Sequence, residues 1–555
     1  MALVQIMTLV QKEGDMSNYT YRQIYKWGDP KKEEKLNHHA AEFLEKSFGI
    51  KESPKPHLPG DTDITLKRKK TLPAKITNKL KAIVGENNFF DSDFERARHS
   101  IGRFYMEILQ ARMGNVENPP DAVVCPRTQE EVLQIVKLCN EWKIPVIPFA
   151  GNSSVTKALQ APKGGVSLDL KNLNKIIELN EVNSTVTAEA GVFGPVLEKF
   201  LNEKGFTCGH FPQSFEFSTV GGWVAAKGAG QASTGYGKME DIALAVTVVT
   251  PEGIIETKPY PAASIGPDIF KFFLGSEGIL GVITKVTLKV RKYKAEDSSM
   301  TSFIFPDFES GCKAMREIMQ GGFGKPHFFR LQDPEETDIS FRMSGKEGSI
   351  SDKFLKLIGY YPMKRCLMYV IIDGDPDYTK FLLKKVRKVA KRNKAFETGK
   401  SVVNKWLEQR YSSAYLRDSL MDQGVMIDTL ETAVTWDNLL GLWKAARDYV
   451  KQKPNTLSLV HISHAYENGA NLYFIFMCPM DPKDEVGEFN KFHKGLIDVI
   501  HKNNGSLSHH HGIGRLTSHL MKEEVGELGL KTLQALKDSL DPKGIMNPGG
   551  TLGLK

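Results

Sequence analysis

The chain has 555 residues, 41% of them hydrophobic and 25% charged, with 48 Gly and 27 Pro, which supports two or three globular domains and excludes a largely disordered or collagen-like polymer. The formal net charge is +8, but the basic runs lack the aromatic interleaving of a nucleic-acid groove, which sets nucleic acid aside as a partner. The six cysteines, Cys125, Cys139, Cys208, Cys312, Cys366 and Cys478, form no CxxC pair, arguing against a disulfide framework or structural zinc site and for a reducing compartment.

Met1–Val10 is a short apolar stretch without a basic n-region or a small-residue cleavage site, and no run of about 18 apolar residues follows, so neither a signal peptide nor a membrane span is expected. Residues 1–118 read as a polar, helix-leaning segment broken by the Pro-rich stretch Ser53–Pro59. Basic clusters at Leu66–Lys81 and Lys380–Lys394 read as solvated helix faces or linker, with an anionic membrane surface as the other reading.

From Pro119 the pattern changes. AVVCPRTQEEVLQIVKLCNEWKIPVIPFAG reads as strand, amphipathic helix capped near Thr128, and buried strand. Short strands follow in GVSLDL, NKIIELN and STVTAEAG, then the helix GPVLEKFLNEKG and the strand pair ALAVTVVTPEGIIE, with GVITKVTLKVRKY closing a domain over 119–294. Residues 295–503 alternate strands and helices, as in FIFPDFESGCKAMREIM, which suits an α+β domain on an antiparallel sheet. Residues 504–555 read as a short, Gly-rich final segment that carries a run of histidines and returns to the domain over 119–294.

Three Gly-rich stretches share the 119–294 domain: PFAGNSS at Pro148–Ser154, STVGGWVAAKGAGQASTGYG at Ser218–Gly237 and GSEGILG at Gly275–Gly281. Glycine lets the backbone approach a ligand and turn N–H groups toward an anion, the way a pyrophosphate is held. None contains Gly-Lys-Ser/Thr and none is a GxGxxG between strand and helix, which excludes P-loop and Rossmann sites. Near the C-terminus, Ser508-His509-His510-His511-Gly512 sets three imidazoles in a row, able to shuttle protons near pH 7 or bind phosphate when charged; a metal site and a solvated run are the rival readings. Tyr473, in the apolar strand NLYFIF, reads on its own as a core tyrosine with a satisfied hydroxyl.

In order and spacing the Gly-rich stretches resemble the FAD-contacting segments of the vanillyl-alcohol-oxidase flavoproteins. Within that group GHFPQSFEFSTVGGWV, SIGPDIFKFFLGSEGILGVIT, HFFRLQD, YLRDSLMDQGVMIDTLETAVTWD, NGANLYFIF and GSLSHHHGIGRL most resemble the alkyldihydroxyacetonephosphate synthase family. The resemblance implies a two-lobed FAD-binding domain, an antiparallel-sheet cap and non-covalent FAD, since His99 lacks the pattern around a flavin-linked histidine. It assigns to FAD the runs Pro148-Phe149-Ala150-Gly151-Asn152-Ser153-Ser154, Gln213-Ser214-Phe215-Glu216-Phe217-Ser218-Thr219, Ala226-Lys227-Gly228-Ala229 and Glu277-Gly278-Ile279-Leu280-Gly281-Val282-Ile283.

It further implies that Tyr473 transfers a proton, that His509, His510 and His511 relay protons and hold the head group, and that Arg330 serves the reacting centre. Arg417 and His210 would contact substrate. The family exchanges the acyl chain of acyl-dihydroxyacetone phosphate for a fatty alcohol through a flavin N5 adduct without net redox. This chain departs from the family at PFAGNSS, in place of PIGGGTS, and at Gln213, in place of an aspartate. No metal is expected. A D-2-hydroxy-acid dehydrogenase of the same fold is the first alternative, although its metal-binding HxGDGNxH and EHGxG are replaced here by His464 to Tyr473 and His510-His511-Gly512. A non-catalytic flavin-binding protein is the second. A homodimer, a cytoplasmic location and peripheral membrane contact complete the expectations.

Overall fold

A computed structural model describes residues 24–29, 38–49 and 64–553. The apolar N-terminus, the Pro-rich break and the final two residues lie outside the described residues.

The helix Gln129–Trp142 forms where the sequence signals it: the Thr128 hydroxyl accepts from the Glu131 N–H, and Val132, Ile135, Val136 and Cys139 are buried at helical spacing. It connects strands of a four-stranded sheet in which Ala122–Val124, Val166–Asp169 and Val146–Phe149 run parallel and Phe89–Phe90 pairs antiparallel at the edge. A second, five-stranded antiparallel sheet runs in the order Ile176–Asn180, Thr185–Glu189, Val282–Lys289, Ala243–Thr250, Gly253–Glu256. The two lobes share one apolar core. All six cysteines are buried and free.

The end of the chain differs from its sequence reading. Instead of a short Gly-rich tail, Met521–Leu540 is a helix bent at Gly526, where φ is 75°. Leu530, Leu533, Leu536 and Leu540 line the side packed on the FAD lobes, a helical period that Gly526 and Gly529 obscure in the sequence. Its buried Lys537 ammonium donates to Asp541 and to the carbonyls of Ile279 and Met546. Ile545 and Asn547 then bond to either side of Val146.

The third sheet has seven antiparallel strands in the order Phe396–Glu397, Ser299–Phe305, Cys366–Ile372, Phe328–Gln332, Leu457–Ile462, Gly469–Pro479, Val425–Thr435. Side chains alternate between its faces. Phe303, Phe329, Leu331, Met368, Val460, Leu472 and Phe474 join one core with the helices Phe308–Met319, Pro376–Arg392, Leu439–Val450 and Glu485–Lys502. The other face turns Ile304, Phe328, Leu367 and Tyr369 toward a smaller cluster that includes Ala232 and Tyr236 of the FAD region. No helix among the described residues is long and apolar enough to cross a membrane.

Phe474 is 2% exposed at the centre of the helix-covered face. Phe474→Ala is expected to cost about 3–5 kcal/mol, read as a lower urea midpoint of the far-ultraviolet signal; an unchanged midpoint would remove this residue from the core.

Candidate active site

Antiparallel register sets Glu431 opposite Tyr473, Tyr473 opposite His461 and His461 opposite Gln332. Their neighbours Leu472, Phe474, Val460 and Leu331 point into the helix-covered core, so the period of two turns this row of polar groups to the opposite face. The row receives the histidine run. The buried Glu431 carboxylate accepts the Ser508 hydroxyl at 2.6 Å and the N–H groups of His509 (2.5 Å), His510 (3.2 Å) and His511 (2.9 Å). Burial opposes its ionisation, but the neighbouring His510 and His511, the Ser508 hydroxyl and the His511 N–H hold its carboxyl down at about 2.

The rings above this carboxylate are in mutual contact. The Tyr466 hydroxyl lies 2.7 Å from His509 Nε2, and His509 Nδ1 lies 3.0 Å from His510 Nδ1. Tyr473 is near-parallel to His510 at 5.9 Å between centroids and edge-on to His511 at 5.7 Å. On its other side it stacks with His461 at 4.8 Å. Burial lowers the pKa of His509, His510 and His511. Burial also pushes the Tyr473 phenol up to about 12, against the Thr429 hydrogen bond. At neutral pH the site therefore sets a protonated phenol beside neutral imidazoles, with a fixed negative charge behind them.

Arg330 enters from the strand Phe328–Gln332. One arm donates to Glu336 at 2.6 Å, and Glu336 also lies 2.9 Å from His461 Nδ1. Burial works against ionising Glu336, but His461 and Arg330 hold its carboxyl at about 2. Arg330 Nε is buried without a hydrogen-bond partner, leaving the guanidinium a free donor on the Tyr473 side of the sheet.

His464, His509 and His510 offer nitrogen atoms within 4.8 Å of one another, which reopens the metal reading. The nitrogens of His464 and His509 already face other partners. His464 Nε2 lies 2.9 Å from the Gly230 carbonyl and its Nδ1 3.0 Å from the Ser463 hydroxyl, while both nitrogens of His509 face Tyr466 and His510. Burial keeps His464 neutral down to about 4. The arrangement suits proton transfer between rings.

The FAD-assigned stretches converge below this site. Asn152 takes φ of 56°, the left-handed conformation that a glycine would supply and asparagine tolerates. Gly151 packs so closely on the Phe217 carbonyl and Ser218 Cα that a Cβ would collide with them. The Thr219 hydroxyl caps Val220–Ala225 by accepting from the Gly222 N–H. A cavity of about 300 Å³ is lined by Ala226, Lys227, Ile279, Leu280, His509 and His510 among others, joining two of these stretches to the histidine run. Asn152 Oδ1 and both ring nitrogens of the fully buried His210 have no hydrogen-bond partner in the protein. Unsatisfied polar atoms in a glycine-lined cradle fit a bound FAD.

Several assigned side chains are engaged with the protein itself. Gln213 donates to the Arg410 carbonyl at 2.7 Å and accepts from Gln231, linking the FAD region to the cap. Glu277 accepts from the N–H groups of Ile513 and Gly514 and from the hydroxyls of Thr156 and Thr551. Ser218 accepts from the Trp223 indole, and Phe215 stacks on Tyr411. Both nitrogens of His99 are occupied, by the Glu95 carbonyl and Asp169. Arg417 lies apart from the ring cluster, donating to the Arg103 carbonyl at 2.6 Å and pairing with Asp418 at 3.5 Å. Its Nε is buried and unpartnered, a donor that an anion would satisfy.

Sequence reading missed Glu431, Glu336, His461 and Tyr466. For Glu431 and His461 the available signal was a charged or imidazole side chain inside an apolar strand, as in DTLETAV and SLVHIS, whereas Glu336 lies on the helix Pro334–Met343 and Tyr466 between two strands.

A family model described as FAD binding domain matches residues 120–258, and one described as FAD linked oxidases, C-terminal domain, matches residues 294–551. Alkyldihydroxyacetonephosphate synthase of Dictyostelium discoideum is 33% identical over 485 residues, 84% of this chain and 79% of that one. A solved alkyldihydroxyacetonephosphate synthase superposes with a TM-score of 0.82 at 29% identity, covering 97% of this chain and 99% of that one. At 16% identity p-cresol methylhydroxylase shares the fold alone, with a TM-score of 0.67 over 87% of this chain and 96% of that one. With matched FAD domains, a curated relative over most of its length and a common fold throughout, the chain belongs to the alkyldihydroxyacetonephosphate synthase family of FAD flavoproteins.

Proposed function

We propose that this chain is an FAD-dependent alkylglycerone-phosphate synthase, replacing the acyl chain of acyl-dihydroxyacetone phosphate with a long-chain fatty alcohol to make an ether bond. The observation that carries the reading is Tyr473 seated between His461 and the His510–His511 pair, above the Glu431 carboxylate. In the hydroxy-acid dehydrogenase pattern this position is a histidine that holds metal. A phenol there favours proton transfer over metal-bound alkoxide chemistry.

The exchange needs a proton removed from the substrate carbon and later returned. A phenol held at about 12 is a poor base alone at neutral pH. Passing its proton to His510 or His511 frees the oxygen to take the substrate proton, and Glu431 stabilises the imidazolium that forms. Reversal returns the proton, and His509 with Tyr466 extends the relay. Arg330 would steady negative charge developing at the reacting centre, while Arg417 would pair with phosphate. Gly151–Ser154 and Ser218–Thr219 would hold the FAD pyrophosphate, with Ala226–Ala229 and Ile279–Leu280 beside the flavin. FAD, when bound, supplies a ring nitrogen able to add to the substrate carbon without net electron transfer.

The deciding assay combines palmitoyl-dihydroxyacetone phosphate, hexadecanol and the yellow protein without an electron acceptor. Ether product with release of palmitate is expected; flavin bleaching by D-lactate without ether formation would favour the dehydrogenase. Tyr473→Phe is expected to retain FAD absorbance and lower kcat by about 10²–10⁴, and near-normal turnover would remove Tyr473 from the mechanism.

Activity should fall on acidification only below pH 6.5, because burial sets the imidazole pKa values below that. Glu431 raises those of His510 and His511, so Glu431→Gln is expected to lower kcat and move this acid limb to still lower pH. An unmoved limb would reduce Glu431 to a purely structural clamp.

A further inference from the structure

Three imidazoles crowd together beside Tyr473. His464, His509 and His510 each offer a nitrogen, and these nitrogens lie within 4.8 Å of one another. His464 and His509 are buried and His510 partly so. Two nitrogens bound to one tetrahedral zinc ion, each at about 2.0–2.1 Å, stand about 3.3 Å apart, and His509 Nδ1 already lies 3.0 Å from His510 Nδ1. One edge of a coordination site is therefore preformed, and the His464 ring has only to close on it.

The hydrogen bonds around these rings suit ligation. The Gly230 carbonyl can only accept, so His464 Nε2 carries its proton toward it at 2.9 Å and Nδ1 keeps its lone pair. The Ser463 hydroxyl, 3.0 Å from that Nδ1, is free to rotate aside. The Tyr466 hydroxyl, 2.7 Å from His509 Nε2, accepts a proton there once Nδ1 holds an ion. A carbonyl and a hydroxyl on the far nitrogens are the outer contacts that orient metal-bound imidazoles.

Charge and access agree with this. Burial lowers the pKa of all three rings, to about 4 for His464, so at neutral pH they present lone pairs. Lys238, whose ammonium donates to the His509 carbonyl, opposes a cation, whereas the ionised Glu431 carboxylate, 3.6 Å from His510 Nδ1, favours one. The cavity of about 300 Å³ that reaches His509 and His510 gives an ion its way in. Imidazole ligands select zinc over magnesium or calcium, which take oxygen.

We propose that His464, His509 and His510 form a three-nitrogen site for a divalent ion of the zinc class, and that the bound ion inhibits by occupying nitrogens through which the ring relay passes its proton. The inhibition rests on the synthase reading; the site does not. Untagged, FAD-loaded protein is stripped of metal with a chelator and dialysed against zinc, cobalt(II) or magnesium. One zinc per chain is expected and no magnesium, with cobalt giving a tetrahedral-type visible band to the red of the flavin. His464→Gln, whose amide can still donate to the Gly230 carbonyl, should keep flavin absorbance and bind zinc at least about tenfold more weakly. A second variant, Tyr466→Phe, removes only the hydroxyl behind His509 and should weaken zinc about tenfold. His38→Gln/His39→Gln, at an exposed histidine pair, should bind as the parent does. Zinc should suppress ether formation in proportion to its occupancy, and chelator should restore it.

No bound zinc, parent-like affinity in both His464→Gln and Tyr466→Phe, or loss of the ion in the His38/His39 variant alone would overturn the proposal. So would zinc that binds without inhibiting, or that raises turnover, because the relay would then not run through the ligated nitrogens. One zinc per chain, weakened in His464→Gln, with no ether product from the metal-free parent would leave the metal site standing and reject the synthase reading.

Discussion

The site depends on two buried carboxylates that grip the segment Ser508–Gly514 from opposite sides. Glu431, on the edge strand of the cap sheet, accepts four hydrogen bonds from Ser508–His511. Glu277, in the FAD lobe, accepts from Ile513 and Gly514. Hydrogen bonds to an ionised group contribute about 1.5–3 kcal/mol each, set against a desolvation cost of several kcal/mol per buried charge. The two balances differ: burial dominates at Glu277 and raises its pKa, whereas the donors and imidazoles around Glu431 outweigh burial. The segment that carries the imidazoles is thereby held to both domains, so the alignment of cap and FAD lobes sets where the rings stand.

This clamp explains why burying three histidines yields a usable site. Burial alone would hold them neutral and isolate them. With Glu431 against His510 and His511, a proton arriving on either ring meets a compensating charge, while His509, farther along the chain of contacts, finds Tyr466 and the Lys238 ammonium that donates to its carbonyl. The gradient favours protonation nearest Tyr473. Relay and positioning are therefore one piece of electrostatics.

The local part of this design was legible in the sequence. The cap at Thr128, the helix that follows and the strand pair around Pro251-Glu252-Gly253 depend on residues a few positions apart, and the structure has them at those places. Asn152 in the left-handed region likewise follows from what one residue tolerates. Glu431 and His461 were not legible, because strand register decides which way they face, and Glu336 reaches His461 from the helix Pro334–Met343; the partners of Glu431 in the His run lie 77 to 80 residues further along the chain. The terminal helix was hidden for a different reason, since two glycines interrupt a repeat that packing against the FAD lobes sustains.

The cap sheet explains how polar proton chemistry and long apolar substrates can coexist. Its helix-covered face is packed against four helices by its own core. The other face divides along its width: strands Phe328–Gln332 through Val425–Thr435 carry Arg330, His461, Tyr473 and Glu431, while strands Ser299–Phe305 and Cys366–Ile372 carry Ile304, Leu367, Tyr369 and Ile371. A phosphate-bearing head group and a hydrocarbon tail require just such adjacent surfaces. Because neighbouring strands lie about 5 Å apart, the boundary between them falls within one strand spacing, at the Arg330–Tyr369 pair. A substrate lying across that boundary would have its polar end fixed by charge and its chain by apolar contact, and its reacting carbon would be confined to the part of the sheet where Tyr473 stands.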